Sequence, residues 1–424
     1  MRKILFGLVV VLFFCPYIFS ETIDISMVEE QTIKNNPRLK VAQQDLNNAK
    51  QEYYSTFSSF LPKVVASGRV SDTKNELQSL NIIRDYSLAI EGSLSLFEGF
   101  SSYNELREKS AKLKVAQADY NRVVSDIRYE VHCCYINLMW AYETVSLLEK
   151  IKERRKENRD LIQLKYNSGN VDIGSLKRCD ADVALAEYNL EKAKRNIQTA
   201  SAALLNAIGR SDDIIIEKSI YHLWHKDKIL QKPDYSVLIK TIPEFLNAQY
   251  SFEMYKSINH KTKSQWLPSV NLFGSVGKND YKWIPEAQNS TARLTISYPL
   301  FTGSKRYRDV KIASNQMKIA SYKFASTINF LKSKAIENYN NLLDACEVIA
   351  TRAFYVESSK LQSEISTKKY INGLCNYYDW YSIQNDYISA QQNLLDAKKD
   401  ASIMEAKWLN FIGKGFDSDK EEHK

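Results

Sequence analysis

Turn-forming residues are scarce in this 424-residue chain. It has 13 Gly and 8 Pro, together about 5%, against a usual share near 12%. That scarcity excludes a collagen-like or Gly/Ser-rich disordered chain. It also argues against an ordinary α/β enzyme, which needs a turn about every ten to fifteen residues, and points to long uninterrupted elements. Histidine is scarcer still, with five in all. No paired carboxylates, Ser-His-Asp set or Gly-rich phosphate loop stands out, so no catalytic residue is expected, and no cofactor or metal. His222 and His225 share a helix face but have no third ligand. The net charge of +8 is spread thinly, with no basic block, which argues against nucleic acid as a partner. After Phe19 no stretch reaches the ~18 consecutive apolar residues of a membrane-spanning helix.

The N-terminus reads as an address. Arg2 and Lys3 precede an apolar run from Ile4 to Phe19, with the small Ser20 before Glu21. This is the pattern of a secretory signal covering residues 1–20. Cys15 follows Phe13 and Phe14 rather than a small residue, which disfavours acylation. Cleavage would leave Cys133, Cys134, Cys179, Cys346 and Cys375, an odd number without the spacing of a stapled domain. Cys133 and Cys134, adjacent and so on different helix faces, read as small packing residues.

The rest is written twice. Asn36-Pro37 and Leu61-Pro62 return as Ile242-Pro243 and Leu267-Pro268. Leu96-Phe97-Glu98-Gly99 returns as Leu300-Phe301-Thr302-Gly303, and Lys165-Tyr166-Asn167-Ser168-Gly169 as Lys369-Tyr370-Ile371-Asn372-Gly373. Leu205-Asn206-Ala207-Ile208-Gly209 returns as Leu409-Asn410-Phe411-Ile412-Gly413. Landmarks that keep register over half a chain mark a duplication. The organisation expected is a first repeat over 21–209, a connector over 210–235, a second repeat over 236–413 and a charged tail over 414–424. Each repeat reads as helix, hairpin, very long helix, turn and helix. The hairpins fall at 62–98 and 268–302, and the turns near 166–174 and 370–378.

The first helix is expected from about Ile25 to Ser59, ended by Pro62. Four strands follow from period-two alternation. Val64, Ala66, Gly68 and Val70 oppose Lys63, Ser67, Arg69 and Ser71. Tyr86, Leu88, Ile90, Gly92, Leu94 and Leu96 oppose Ser87, Ala89, Glu91, Ser93 and Ser95. Val270, Leu272, Gly274 and Val276 alternate with Asn271, Phe273, Ser275 and Gly277, and Leu294, Ile296 and Tyr298 with Arg293, Thr295 and Ser297. Each run suits a tilted crossing of a bilayer. From Gly99 to Tyr166, and again from Gly303 to Tyr370, no Pro or internal Gly interrupts the chain, enough for a helix of roughly 100 Å. In lipid an open sheet edge is not tolerated, and four strands cannot close when the smallest membrane barrels use about eight. Copies must pool their strands. Two copies would make a side-chain-filled barrel, and three would make twelve strands and a lumen.

The ordered motifs, Asn-Pro, Leu-Pro, Phe-x-Gly, Tyr-x-x-Gly and Leu-Asn-x-Ile-Gly, resemble the TolC-type outer-membrane efflux proteins over nearly the whole mature chain, from about Ile23 to Gly413. The resemblance implies a mainly α fold with a small β part. It implies a homotrimer with a 12-stranded β-barrel in outer-membrane lipid and a long-helix α-barrel in the periplasm of a Gram-negative bacterium. It implies a passive export duct that meets a periplasmic adaptor (membrane fusion) protein and an inner-membrane transporter of RND, ABC or MFS type, in a tripartite efflux pump or a type I secretion system. The same scaffold without transport, as a structural or adhesive protein, is the competing function. A periplasmic adaptor fails on the four strands and the duplication.

The resemblance also places Gly169 and Gly373 at the tip turns and an acidic ring at Asp379, a cation-favouring constriction at the periplasmic entrance. Tyr370 is shared with the family's tip. Ser382 stands at a second ring position, while Ser175 and Cys375 stand where a relative has an Asp–Arg link. Asp172 and Arg178 are candidates to replace that link. Tyr377, Tyr378, Trp380 and Tyr381 make the second tip aromatic, either as a helix seam or as an adaptor contact.

Overall fold

The computed structural model describes residues 25–74, 82–210 and 232–414. The signal segment, the connector residues Tyr221, His222, Trp224 and His225, and the tail beyond 414 lie outside them. The elements in chain order are helix α1 (Ile25–Asn35), helix α2 (Pro37–Ser55), strands β1 (Lys63–Lys74) and β2 (Ile82–Glu98), and helices α3 (Ser101–Asn167) and α4 (Ile173–Ile208). There follow a short helix α5 (Tyr235–Leu238), helix α6 (Pro243–Lys263), strands β3 (Ser269–Asp280) and β4 (Ala287–Ser297), and helices α7 (Lys305–Ile371) and α8 (Tyr377–Phe411). Both long helices, α3 and α7, have 67 residues.

The expected first helix is two helices. Pro37 carries no N–H and disfavours helical backbone at Asn36. The break there is put to use, since Asn36 Nδ2 donates to the Ala207 carbonyl at 2.7 Å. The second half of that helix also tightens into a 3-10 turn, Thr56–Phe60, before the strand.

The described chain forms two compact units, and each draws on both sequence repeats. One comprises residues 25–37, 127–210 and 340–408; the other comprises 38–74, 82–126, 232–339 and 409–414. In the first unit Leu148, Ile151, Leu190 and Ile388 form one buried cluster. In the second, Ile239, Ile242 and Leu331 form another, with Phe245 and Phe411 packed on it.

The repeated motifs meet each other. Gly209 ends α4 in left-handed conformation, φ 89°, and a Cβ there would fall 2.9 Å from Pro37 Cδ. In the other unit Gly413 follows α8 at φ 76°, where a Cβ would fall 2.5 Å from Pro243 Cδ. A proline opening one helix thus nests against the glycine closing another, once per repeat. Only glycine combines that φ with that approach.

The second unit carries one antiparallel four-stranded sheet in the order β1-β2-β3-β4. Its register aligns Val64, Gly92, Gly274 and Ala292 in one row and Ala66, Ile90, Val276 and Ser290 in the next. All four apolar sets therefore share one face, and the opposite face collects Ser67, Glu91, Ser275 and Thr291. One expectation fails at the end of β2. A register shift between Ser95 and Phe97 leaves Leu96 without a partner residue on β3, so Leu96 does not continue the row of Leu94. A bulge of this kind re-aims the strand where pairing ends.

Candidate functional site

Two features carry the chemistry: the turns between the paired long helices in the first unit, and the two faces of the sheet in the second.

At the turn between α3 and α4, Gly169 adopts φ 76°. Its N–H donates to the Tyr166 carbonyl at 2.9 Å, and Asn170 N–H donates to the Lys165 carbonyl at 2.9 Å. The turn between α7 and α8 repeats this. Gly373 adopts φ 76°, its N–H reaching the Tyr370 carbonyl at 3.1 Å and Leu374 N–H the Lys369 carbonyl at 2.8 Å. These are the paired bonds that satisfy orphan carbonyls at a helix end.

The helices leaving the turns start with equivalent caps. Asp172 accepts from the Ser175 N–H at 3.0 Å and the Ser175 hydroxyl at 2.8 Å. That hydroxyl, with the backbone donor, holds the Asp172 carboxyl below its ordinary range. In α8, Asn376 Oδ1 accepts from the Asp379 N–H at 2.8 Å while its Nδ2 donates to Asp379 Oδ2 at 2.6 Å. Asp379 is exposed, and its carboxylate holds the capping Asn376 side chain. Ser382 is exposed. Asp172 and Arg178 form no ion pair with each other among the described residues; Asp172 caps its helix and Arg178 lies 4.5 Å from the Tyr381 ring centroid.

Tyr370 does not face solvent. It is buried with Ile162, Leu176, Cys179, Tyr377 and Trp380 in one cluster, stacked on Trp380 at 4.8 Å and 11°. Burial pushes its hydroxyl pKa up to about 12. Tyr377 and Trp380 make the aromatic seam, while Tyr378 is 68% exposed. Cys179 lies 3.5 Å from the Tyr377 hydroxyl, and Cys375 packs half-buried against the same cluster.

A polar network runs below the seam, missed from the sequence. Gln384 exchanges hydrogen bonds with Ser363 and donates to Thr367 Oγ1 at 3.0 Å, which also accepts from Trp380 Nε1 at 3.1 Å. Arg154 lies 4.4 Å from the Tyr387 ring centroid. Arg155 pairs with Asp182 at 3.5 Å and donates to Asn385 at 2.6 Å. The basic run Lys152-Glu153-Arg154-Arg155-Lys156, beside a tyrosine-rich partner helix, was the available signal.

In the sheet, the apolar face is open: Val64, Ile90, Val276 and Ile296 are each more than half exposed. Among the described residues neither edge strand, β1 or β4, has a further strand neighbour. Among the described residues no helix is long and apolar enough to cross a membrane, and no group of three or more His, Cys, Asp or Glu is placed to hold a metal ion.

The family model for outer membrane efflux proteins matches residues 28–210 and 242–413. The chain belongs to that family. No curated protein matches it, but solved structures do. CusC, described with its transmembrane channel formation, superposes with a TM-score of 0.84 at 14% identity, covering 92% of each chain. VceC of Vibrio cholerae, an outer membrane protein, gives 0.81 at 16%, covering 92% of this chain and 96% of its own. The CmeC outer membrane channel of Campylobacter jejuni gives 0.76 at 18%, covering 94% and 88%. These likenesses establish the fold, mainly helical with a small antiparallel sheet and a duplicated repeat. Membership makes this an outer-membrane efflux protein of the Gram-negative type, in a family of channels rather than enzymes.

Proposed function

We propose that the chain is the subunit of a passive export duct across the outer membrane and periplasm, working as a homotrimer with a periplasmic adaptor and an inner-membrane transporter of RND, ABC or MFS type. The observation that carries this is the sheet: one continuous apolar face, one polar face, and two open edges. Lipid accepts the first and forbids the last. Pairing β1 of one copy with β4 of the next closes the wall, and three copies give twelve strands with the polar faces around a lumen.

A channel of this kind does no chemistry, so the energy must come from the transporter. This serves a tripartite efflux pump or a type I secretion system equally well. At the entrance, three copies of Asp379 would set carboxylates around the opening and favour cations. Asp379 is exposed at the second tip turn, which supports that role alongside its capping bond.

Purified protein in planar bilayers tests the proposal. Discrete, cation-selective steps are expected, and their absence refutes the duct. Asp379→Asn keeps a capping partner and is expected to lower cation preference by about twofold or more. Unchanged selectivity and unchanged block by multivalent cations would dismiss the ring.

A further inference from the structure

The connection between β3 and β4 folds back over the sheet. Trp283, Ile284 and Pro285 roof a cleft of about 240 Å³ whose floor is Gly68, Val70, Tyr86 and Leu88. The strand register puts all four floor residues on the apolar face. Trp283 meets Tyr86 edge-on, with ring centroids 5.5 Å apart at 74°, and Pro285 is buried. The cleft is almost wholly apolar, and Gly68 keeps its floor low.

Two further observations give it a purpose. Ile284 adopts φ 75°, a conformation a β-branched residue rarely enters and one that concentrates at ligand clamps. Lys278 pairs with Leu88 in the register, so it shares the row of Gly68 and Leu88 and the apolar face. Lys282 precedes Trp283 in the roof. Both lysines are exposed, and neither has an ion-pair partner among the described residues. The nearby Asp280 is turned to the Tyr281 N–H at 2.7 Å.

We propose that this cleft holds one acyl chain of a phosphate-bearing lipid of the outer leaflet, with Lys278 and Lys282 on the phosphate. The inference rests on the reading that the apolar face meets lipid. The loop lies at the end of the sheet away from α2 and α3, the end that faces outward if the long helices are periplasmic. An apolar slot open to lipid suits a chain. Lys278 on that face and Lys282 in the roof, neither with an ion-pair partner among the described residues, suit its headgroup, at the depth where phosphates lie.

The test is native mass spectrometry of the full, detergent-extracted assembly. It is exchanged separately with hexa-acylated bisphosphorylated lipid A, with dephosphorylated lipid A and with phosphatidylethanolamine. Wild type is expected to retain one bisphosphorylated lipid per chain, at least about tenfold over the other two probes. Gly68→Leu, which fills the floor, and Trp283→Ala, which opens the roof, are expected to lose that retention. The double variant Lys278→Glu/Lys282→Glu is expected to lose the preference for phosphate. Equal retention in wild type and in both cleft variants, or no preference for the phosphorylated lipid, overturns the proposal. Bilayer conductance of the same preparations separates the two readings: a conducting channel without lipid retention refutes the cleft and leaves the duct standing.

Discussion

Gly373 and Gly413 have the same φ of 76° but different surroundings. Around Gly373 nothing lies within reach of a Cβ, whereas at Gly413 a Cβ would meet Pro243. Gly373→Ala should therefore cost about 1 kcal/mol of backbone strain, and Gly413→Ala clearly more, read as the thermal midpoint of each purified variant. Equal losses would remove the nesting argument. A second case is Glu29, which accepts from Arg128 at 2.8 Å and lies 2.6 Å from His132 Nε2, all three largely buried. Burial alone would raise the Glu29 carboxyl, but hydrogen bonds from His132 and Arg128 outweigh it and hold the pKa below its ordinary value. A depressed carboxylate adds stability at neutral pH that is lost as pH falls below about 4.5. Glu29→Gln should lower the thermal midpoint at pH 7, by an amount equivalent to about 3 kcal/mol, and less at pH 4. A gap between variant and wild type that does not narrow in acid would contradict this. The glycines were legible because helix-ending Gly carries its own signature. The Glu29 cluster was not, because it joins residues about a hundred positions apart with no motif between them.

Among the elements, the sheet was the most legible. Period-two alternation identified each strand's faces, and the register then joined the four apolar sets. The bulge at Leu96 escaped because an apolar residue there extends the alternation in the sequence while the backbone changes phase. Neighbouring positions give a direct check. Ala66→Lys puts a charge on the apolar face and should destabilise the assembly by about 2–4 kcal/mol if it lies near the bilayer midplane. Ser67→Lys, one residue on, faces Glu91 across the strands and should be close to neutral in urea unfolding from lipid vesicles. The reverse order would turn the sheet over. In the helical seam, Trp380 is fully buried and stacked on Tyr370, so Trp380→Ala should cost about 3–5 kcal/mol, seen as early melting. The seam's aromatics stood out in the sequence. Its cationic partners Arg154 and Arg155 did not, since a basic run on a helix reads first as a solvated face.

At the scale of the whole molecule, the duplication organises everything else. Two copies of one plan supply paired hairpins, paired long helices and paired tip turns. Proline and glycine appear where the plan needs an end, at Pro37 and Gly209 and again at Pro243 and Gly413. The repeats set the family and the fold within reach of the sequence. The assembly was reachable only by argument, because in the proposed duct the bonds that close the sheet come from another copy. That argument is tested most directly by the mass of the detergent-solubilised particle. Native mass spectrometry should give three copies of the chain, stable at dilutions where a weak complex would part. A stable single copy would mean that the edges of β1 and β4 need no partner, and the duct would have no wall.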